Sequence, residues 1–209
     1  MIAERTHACA AEVVRPVVRE MPADVDTPIS VYLKLRGLGP SFLLESVEGG
    51  EHLARYSMIG AQPRAILRSW PGRIVLEEEG RWREVPAGEG DVLDVLREAM
   101  PCYAGAPDPS LPRFSGGAVG YMGYDLVRAF ERLPDRAPDT LGLPETCFLL
   151  SDRLVIYDHV KHRLLIVAHA RVGQGQSADR AALEGAEAAI DEMAARLRRP
   201  LPAPAPPEG

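Results

Sequence analysis

Residues Ser41 to Ala61 read S-F-L-L-E-S-V-E-G-G-E-H-L-A-R-Y-S-M-I-G-A. Two apolar runs, Phe42-Leu43-Leu44 and Tyr56-Ser57-Met58-Ile59, flank a polar stretch that holds Gly49-Gly50. Short apolar runs parted by glycine predict two strands joined by a turn and a short linker. Glu45 and Ser46 set a carboxylate and a hydroxyl directly after the first run. Such a pair fits either of two readings. One is a strand running out into solvent; the other is a small polar pocket at a strand end, where a hydroxyl and backbone groups hold a small ligand.

Outward from this stretch, the same punctuation recurs. Ala65-Ile66-Leu67 and Arg73-Ile74-Val75-Leu76 predict strands parted by the turn Trp70-Pro71-Gly72. Glu77 to Gly80 then turns into Arg81-Trp82-Arg83-Glu84-Val85, which alternates polar and apolar, so an antiparallel meander with one wet face is expected. Asp91 to Met100 predicts a helix with Asp91 as its cap, Val92, Leu93, Leu96 and Met100 on one side, and Pro101 as its stop. Ala104 to Pro112 reads as a surface loop.

Upstream, Met1 to Asp24 predicts an extended strand with a frayed start. Thr27-Pro28 reads as the cap and first position of a short helix carrying Ile29, Tyr32, Leu33 and Leu35 and ending at Gly37. Downstream, Tyr124 to Glu131 predicts a short helix stopped by Pro134. Cys147–Leu150, Arg153–Asp158 and Arg163–Ala168 predict three strands whose short turns suit another antiparallel set. Ser177 to Arg198 is the clearest helix, with Leu183, Ala186, Ile190, Met193 and Leu197 stepping by three and four. That face must dock on something apolar. The last ten residues, P-L-P-A-P-A-P-P-E-G, form a stiff linker or tail.

The glycines at 116, 117, 120 and 123 lie in S-G-G-A-V-G-Y-M-G-Y-D. Their spacing is not G-x-G-x-x-G, and no Lys-Ser or Lys-Thr follows, so neither a dinucleotide fingerprint nor a P-loop is read here. Close packing of a bulged strand against neighbouring backbone is the expectation.

Composition narrows the class. The chain has 209 residues, 46% hydrophobic and 26% charged, which suits one globular domain. A formal charge of -6 leaves no basic footprint, so a nucleic-acid partner is not expected. No apolar run approaches the ~20 residues that span a bilayer, and the N-terminus has no apolar signal core, so no membrane partner and a cytoplasmic location are expected. Cys9, Cys102 and Cys147 are odd in number and far apart, which argues against a disulfide framework or zinc site. Cys147 reads as a small core residue. His159 and His162 fall near a hairpin turn, and no metal ligands are assigned to this chain.

F-L-L-E-S-V-E followed by R-Y-S-M-I-G resembles the N-terminal region of the large subunit of anthranilate synthase. Arg113 to Glu131, R-F-S-G-G-A-V-G-Y-M-G-Y-D-L-V-R-A-F-E, is similar to that family's next hallmark block. With Asp26-Thr27-Pro28 and Leu149 to Asp158, the resemblance covers residues 26 to 170.

The resemblance implies that Ser46, with Leu44 and Glu45 beside it, forms one wall of a feedback site for L-tryptophan, the other wall coming from a P-Y-M motif of a catalytic domain. Arg55, Tyr56 and Ser57 match the family's R-Y-S motif and receive no ligand contacts. The resemblance also implies a glutamine amidotransferase subunit as a partner. It places the chorismate chemistry, with its Mg2+ ion and acid-base groups, in a C-terminal chorismate-binding domain that this chain does not contain. No catalytic residues and no cofactor are therefore assigned to the chain itself.

The expected fold is α+β, mostly antiparallel β-sheets packed face to face with flanking helices. Residues 1–199 form the domain and 200–209 the linker. The expected role is the regulatory and scaffolding part of anthranilate synthase component I in tryptophan biosynthesis. The alternatives are the matching part of aminodeoxychorismate synthase, a stand-alone amino-acid-binding module, or a truncated remnant.

Overall fold

The computed structural model of the chain describes residues 13–37, 39–45, 55–78, 80–85, 91–103, 108–129, 131–134, 138–173 and 175–202. The expected turn at Gly49-Gly50, Ser46 itself and the last seven residues of the tail lie outside them. Strand β1 (Val13–Pro22) is followed by helix α1 (Pro28–Leu35), then β2 (Ser41–Leu44) and β3 (Tyr56–Ala61). β4 (Ala65–Trp70), β5 (Arg73–Glu78) and β6 (Arg81–Val85) form the expected meander. Helix α2 (Val92–Ala99), β7 (Cys102–Tyr103) and β8 (Gly117–Met122) come next. A 3-10 turn (Tyr124–Ala129), β9 (Thr146–Ser151), β10 (Arg153–Asp158), β11 (Arg163–Val172) and helix α3 (Gln176–Leu197) complete the order.

The helix starts were legible because their caps are local. Thr27 accepts from the Ser30 amide at 3.1 Å while Ser30 Oγ accepts from the Thr27 amide at 2.9 Å. Asp91 caps α2 through the amides of Leu93 and Asp94 at 2.8 and 2.9 Å. Each box satisfies amides that the first helical turn leaves without partners. The buried faces differ from expectation. α1 buries Pro28, Val31 and Leu35, while Ile29 is exposed, and α2 buries Val92 and Val95. α1 ends at Leu35, with Arg36 as its cap and Gly37 beyond it at φ 95°. Residues 124–129 coil more tightly than the expected α-helix and stop sooner.

Two sheets result, consistent with the expected α+β class. A six-stranded sheet runs β2-β3-β10-β11-β1-β7, antiparallel except for the β1–β7 pair. A five-stranded antiparallel sheet runs β6-β5-β4-β9-β8. One expectation is overturned here. β9 and β10 do not pair with each other: β9 joins β4 and β8, while β10 joins β3 and β11. Asp152 alone links them, so the chain crosses from sheet to sheet in one residue. A second short crossing, Gln62 to Arg64, runs beside it, with the Arg64 amide on the Leu150 carbonyl at 2.9 Å. Two adjacent corners thus hold the sheets together.

β10 and β11 are buried on both faces, which their near-continuous apolar sequence anticipates. On one side Val155, Leu164 and Ile166 pack under Val31 and Leu35 of α1 and Ile190, Met193 and Leu197 of α3. On the other, Leu154, Ile156, Leu165 and Val167 meet Leu111 and Phe114. Each such side chain contributes about 1.5–3 kcal/mol by leaving water. The apolar face of α3 therefore has its partner within the domain. The five-stranded sheet keeps its own cluster, with Leu67, Leu76 and Leu150 under Val92 and Val95 of α2. Cys147 is only half-buried there, not the core residue expected.

The glycine block packs as expected. A Cβ on Gly120 would lie 1.9 Å from the Cys147 carbonyl oxygen and 2.7 Å from the Phe148 Cα, so β8 approaches β9 as only glycine allows.

Candidate functional site

Leu44 and Glu45 sit where an edge strand ends. Among the described residues β2 pairs with β3 alone, Leu43 opposite Ile59 and Leu44 opposite Met58. Ile59 is fully buried, so β2 is anchored at its centre, while Leu44 at its end is 45% exposed. Glu45 follows it, exposed, with no hydrogen bond or ion pair to another described residue. Leu44 and Glu45 thus lie together at the sheet margin, with the placement of Ser46 outside the described residues.

Beside them stands a polar assembly that the local pattern did not reveal. Asp158, at the end of β10, is fully buried. Arg55, just before β3, grips it with two bonds, Nε to Oδ1 at 3.0 Å and Nη2 to Oδ2 at 2.9 Å. The amides of Val160 and Lys161 donate to Oδ1 at 3.2 Å each, and Arg163 Nε reaches Oδ2 at 3.5 Å. Burial works against the carboxylate charge, but Arg55 and the two amides outweigh it and hold Asp158 below the usual carboxylate range. Reciprocally, the bond to Asp158 raises Arg55 above its ordinary value.

Next along β3, the Ser57 hydroxyl meets His159 Nε2 at 2.8 Å, and the His159 ring lies 4.7 Å from that of Tyr157. Arg55, Tyr56 and Ser57 thereby lock β3 to β10 and close the turn that precedes β11. Arg55 lies 103 residues from Asp158, a separation that no periodicity or turn signal encodes. A bidentate carboxylate partner is the geometry for which arginine is suited, and it is fully used within the protein.

A broad groove lies elsewhere. It encloses about 1230 Å³ along the sheet corners, with Arg64, Glu78, Asp152, His169, Arg171 and Ala186 in its wall. Neither Leu44 nor Glu45 lines it. His169 is buried against Gly116, and that burial lowers its basicity, with Asp152 opposing the shift. Among the described residues no group of three His, Cys, Asp or Glu side chains is placed to hold a metal ion. No helix there is long and apolar enough to cross a membrane.

A family model described as chorismate binding enzyme matches residues 39–208. Anthranilate synthase component 1 of Acetivibrio thermocellus is 44% identical over 158 residues, covering 75% of this chain and 31% of that protein. The Pseudomonas aeruginosa protein of the same name is 38% identical over 188 residues, covering 89% and 37%. The crystal structure of anthranilate synthase component I from Streptococcus pneumoniae TIGR4 superposes with a TM-score of 0.55 at 27% identity, over 87% of this chain and 37% of that one. The chain spans about a third of the length of the curated relatives it matches.

Proposed function

The chain belongs to the chorismate-binding enzyme family, and on that premise we propose that it is the N-terminal effector-binding and scaffolding part of an anthranilate synthase component I. In this reading Leu44, Glu45 and Ser46 form one wall of an L-tryptophan site. The observation that carries it is the state of Glu45, a carboxylate on a sheet margin, beside half-exposed Leu44, with no partner among the described residues. An amino acid brings an ammonium group for such a carboxylate and, in tryptophan, an indole for the leucine. A Ser46 hydroxyl would add about 0.5–1.5 kcal/mol through a hydrogen bond, and more to a charged group. The second wall, the chorismate chemistry with Mg2+ and the glutamine amidotransferase partner belong to the remainder of the assembly, in the cytoplasm.

A ligand held between two walls loses contacts when one is missing, yet gives up much the same freedom on binding. Losing ~4 kcal/mol weakens a micromolar site about a thousandfold. The 209-residue chain should therefore bind L-tryptophan weakly in titration calorimetry. The affinity should rise when the part of the Acetivibrio thermocellus relative outside the matched 31% is co-expressed with it. Glu45→Gln and Ser46→Ala should each lower that restored affinity. Micromolar binding by the chain alone, unchanged in both variants, overturns the reading. The chain alone, given chorismate, ammonia and magnesium, should produce no anthranilate fluorescence.

A further inference from the structure

Where the two sheets meet, a small cavity of about 20 Å³ lies between the crossings. Its wall draws on both sheets. Val14, His169 and Arg171 come from β1 and β11 of the six-stranded sheet, and Ser151 is the last residue of β9 in the five-stranded one. Asp152 and Arg64 come from the two crossings themselves. Arg64, Asp152, His169 and Arg171 also line the broad groove, so the cavity adjoins it. Leu44 and Glu45 are not in its wall, and the cavity is independent of the strand-end pocket.

The carboxylate of Asp152 sets the demand. Its Oδ1 is sealed from solvent and accepts no hydrogen bond from any described residue. Arg153 Nε stays 3.9 Å from it, beyond hydrogen-bond distance. Arg64 is engaged elsewhere, its guanidinium donating to the Ala99 carbonyl and, at 3.4 Å, to Glu78 Oε1. The corner that carries Asp152 is pinned as well, since its carbonyl accepts from the His169 amide at 2.9 Å. A buried carboxylate oxygen with no donor has lost its hydration without a replacement, which is costly.

The rest of the wall can complete a set of partners. Ser151 Oγ donates to the Arg153 carbonyl at 2.8 Å, which leaves its lone pairs able to accept. Arginine N–H groups only donate. Acceptors and donors are therefore both at hand, as a water molecule requires. One water needs roughly 10–15 Å³ of such space and roughly two to four polar partners. A metal cation would need about six oxygen ligands, and it would share the wall with two guanidinium groups.

We propose that this cavity is a hydration site: one ordered water donates to Asp152 Oδ1 and Ser151 Oγ, accepts from Arg64 or Arg171, and so joins the two crossings. The water is a structural ligand of the seam, supplying the donor that the protein's own side chains do not bring to Asp152.

The test is a crystal structure of the 209-residue chain at near-atomic resolution, together with a count of long-lived waters by magnetic relaxation dispersion. Density for one water within hydrogen-bond distance of Asp152 Oδ1 is expected. Val14→Ile adds a methylene to the apolar part of the wall. It should lower the count of long-lived waters by one, with circular dichroism as in the parent. Asp152→Asn keeps a side-chain acceptor and should keep the water. A dry cavity, or a guanidinium of Arg64 or Arg171 lying on Oδ1 in place of the water, overturns the proposal. So does a metal ion there, recognised by oxygen contacts of about 2.4 Å. An unchanged water count in Val14→Ile, with its cavity seen to be filled, overturns it too. The parent's density decides alone if that variant does not fold or does not fill the cavity.

Discussion

In the six-stranded sheet, buried Asp158 is gripped by Arg55 and two amides, and the buried Ser57 hydroxyl meets His159. In the five-stranded sheet, Ser69 and Thr146 are just as deeply buried and stand opposite each other across β4 and β9, yet neither hydroxyl has a hydrogen-bond partner. The first sheet has helices on one face and the Leu111–Phe114 segment on the other. The second has α2 on one face and, among the described residues, ends at β8, an edge strand without charge or proline. The buried Ser57 hydroxyl is bonded in one sheet, and those of Ser69 and Thr146 lack partners in the other.

The largest effect should come from the core of the six-stranded sheet. Ile166 is fully buried between β10, β1 and the helices. Ile166→Ala should cost about 2–5 kcal/mol, the range for an aliphatic core side chain that leaves a cavity. Chemical denaturation with a single cooperative transition would measure it. A cost below ~1 kcal/mol would mean that this sheet is looser than its burial implies.

Gly120→Ala should come next, at about 1–3 kcal/mol, because its Cβ would collide with the backbone of β9 and no side chain can yield. The damage should stay local. Amides of β8 should exchange faster while those of β10 and β11 keep their protection. If β10 and β11 loosen equally, the two sheets unfold as one and the contrast between them fails.

Acid should act through His169 before it acts through Asp158. Burial keeps the His169 imidazole below its ordinary 6.5, so the unfolded chain takes the proton first. Its contribution is complete above about pH 6.5 and is lost as pH falls below that value. Asp158, held below the ordinary 3.8, contributes fully above about pH 3.8 and loses its part as pH falls further. Melting temperature should fall in two steps on acidification, and His169→Gln should abolish the upper one. A profile that is flat from pH 7 to 5 in the parent chain would remove His169 from the account.

Local chemistry explains what could be read beforehand. Thr27-Pro28, Asp91, Pro71-Gly72 and the alternation of Arg81 to Val85 mark their elements because each acts within a few residues. Glu45 does follow directly on a strand, as the apolar run Phe42-Leu43-Leu44 implies. What stayed hidden depends on distant partners. β9 and β10 look like a hairpin across Ser151-Asp152, yet each finds a better strand elsewhere, β9 with β4 and β8 and β10 with β3 and β11. The Arg55–Asp158 grip spans 103 residues of the chain. Val31 and Val95 escaped notice because the apolar residues around them made several helix faces equally plausible.

The smallest effect is also the most pointed, since it concerns a single hydroxyl in each sheet. Ser57→Ala removes a bonded hydroxyl and should cost about 0.5–1.5 kcal/mol, because His159 loses its partner. Thr146→Val removes a hydroxyl that has none, while keeping the branched shape and β propensity of the side chain. A buried polar group without a partner bears its desolvation cost unrelieved, so replacing it with a methyl of similar size should leave stability unchanged or raise it by up to ~1 kcal/mol. The two substitutions are alike in size and burial, so opposite signs would isolate the difference in polar satisfaction between the sheets. Destabilisation of the Thr146→Val variant by ~1 kcal/mol or more would reveal a water bridging Ser69 and Thr146. The five-stranded sheet would then be as well satisfied inside as its neighbour, and only its edge would set it apart.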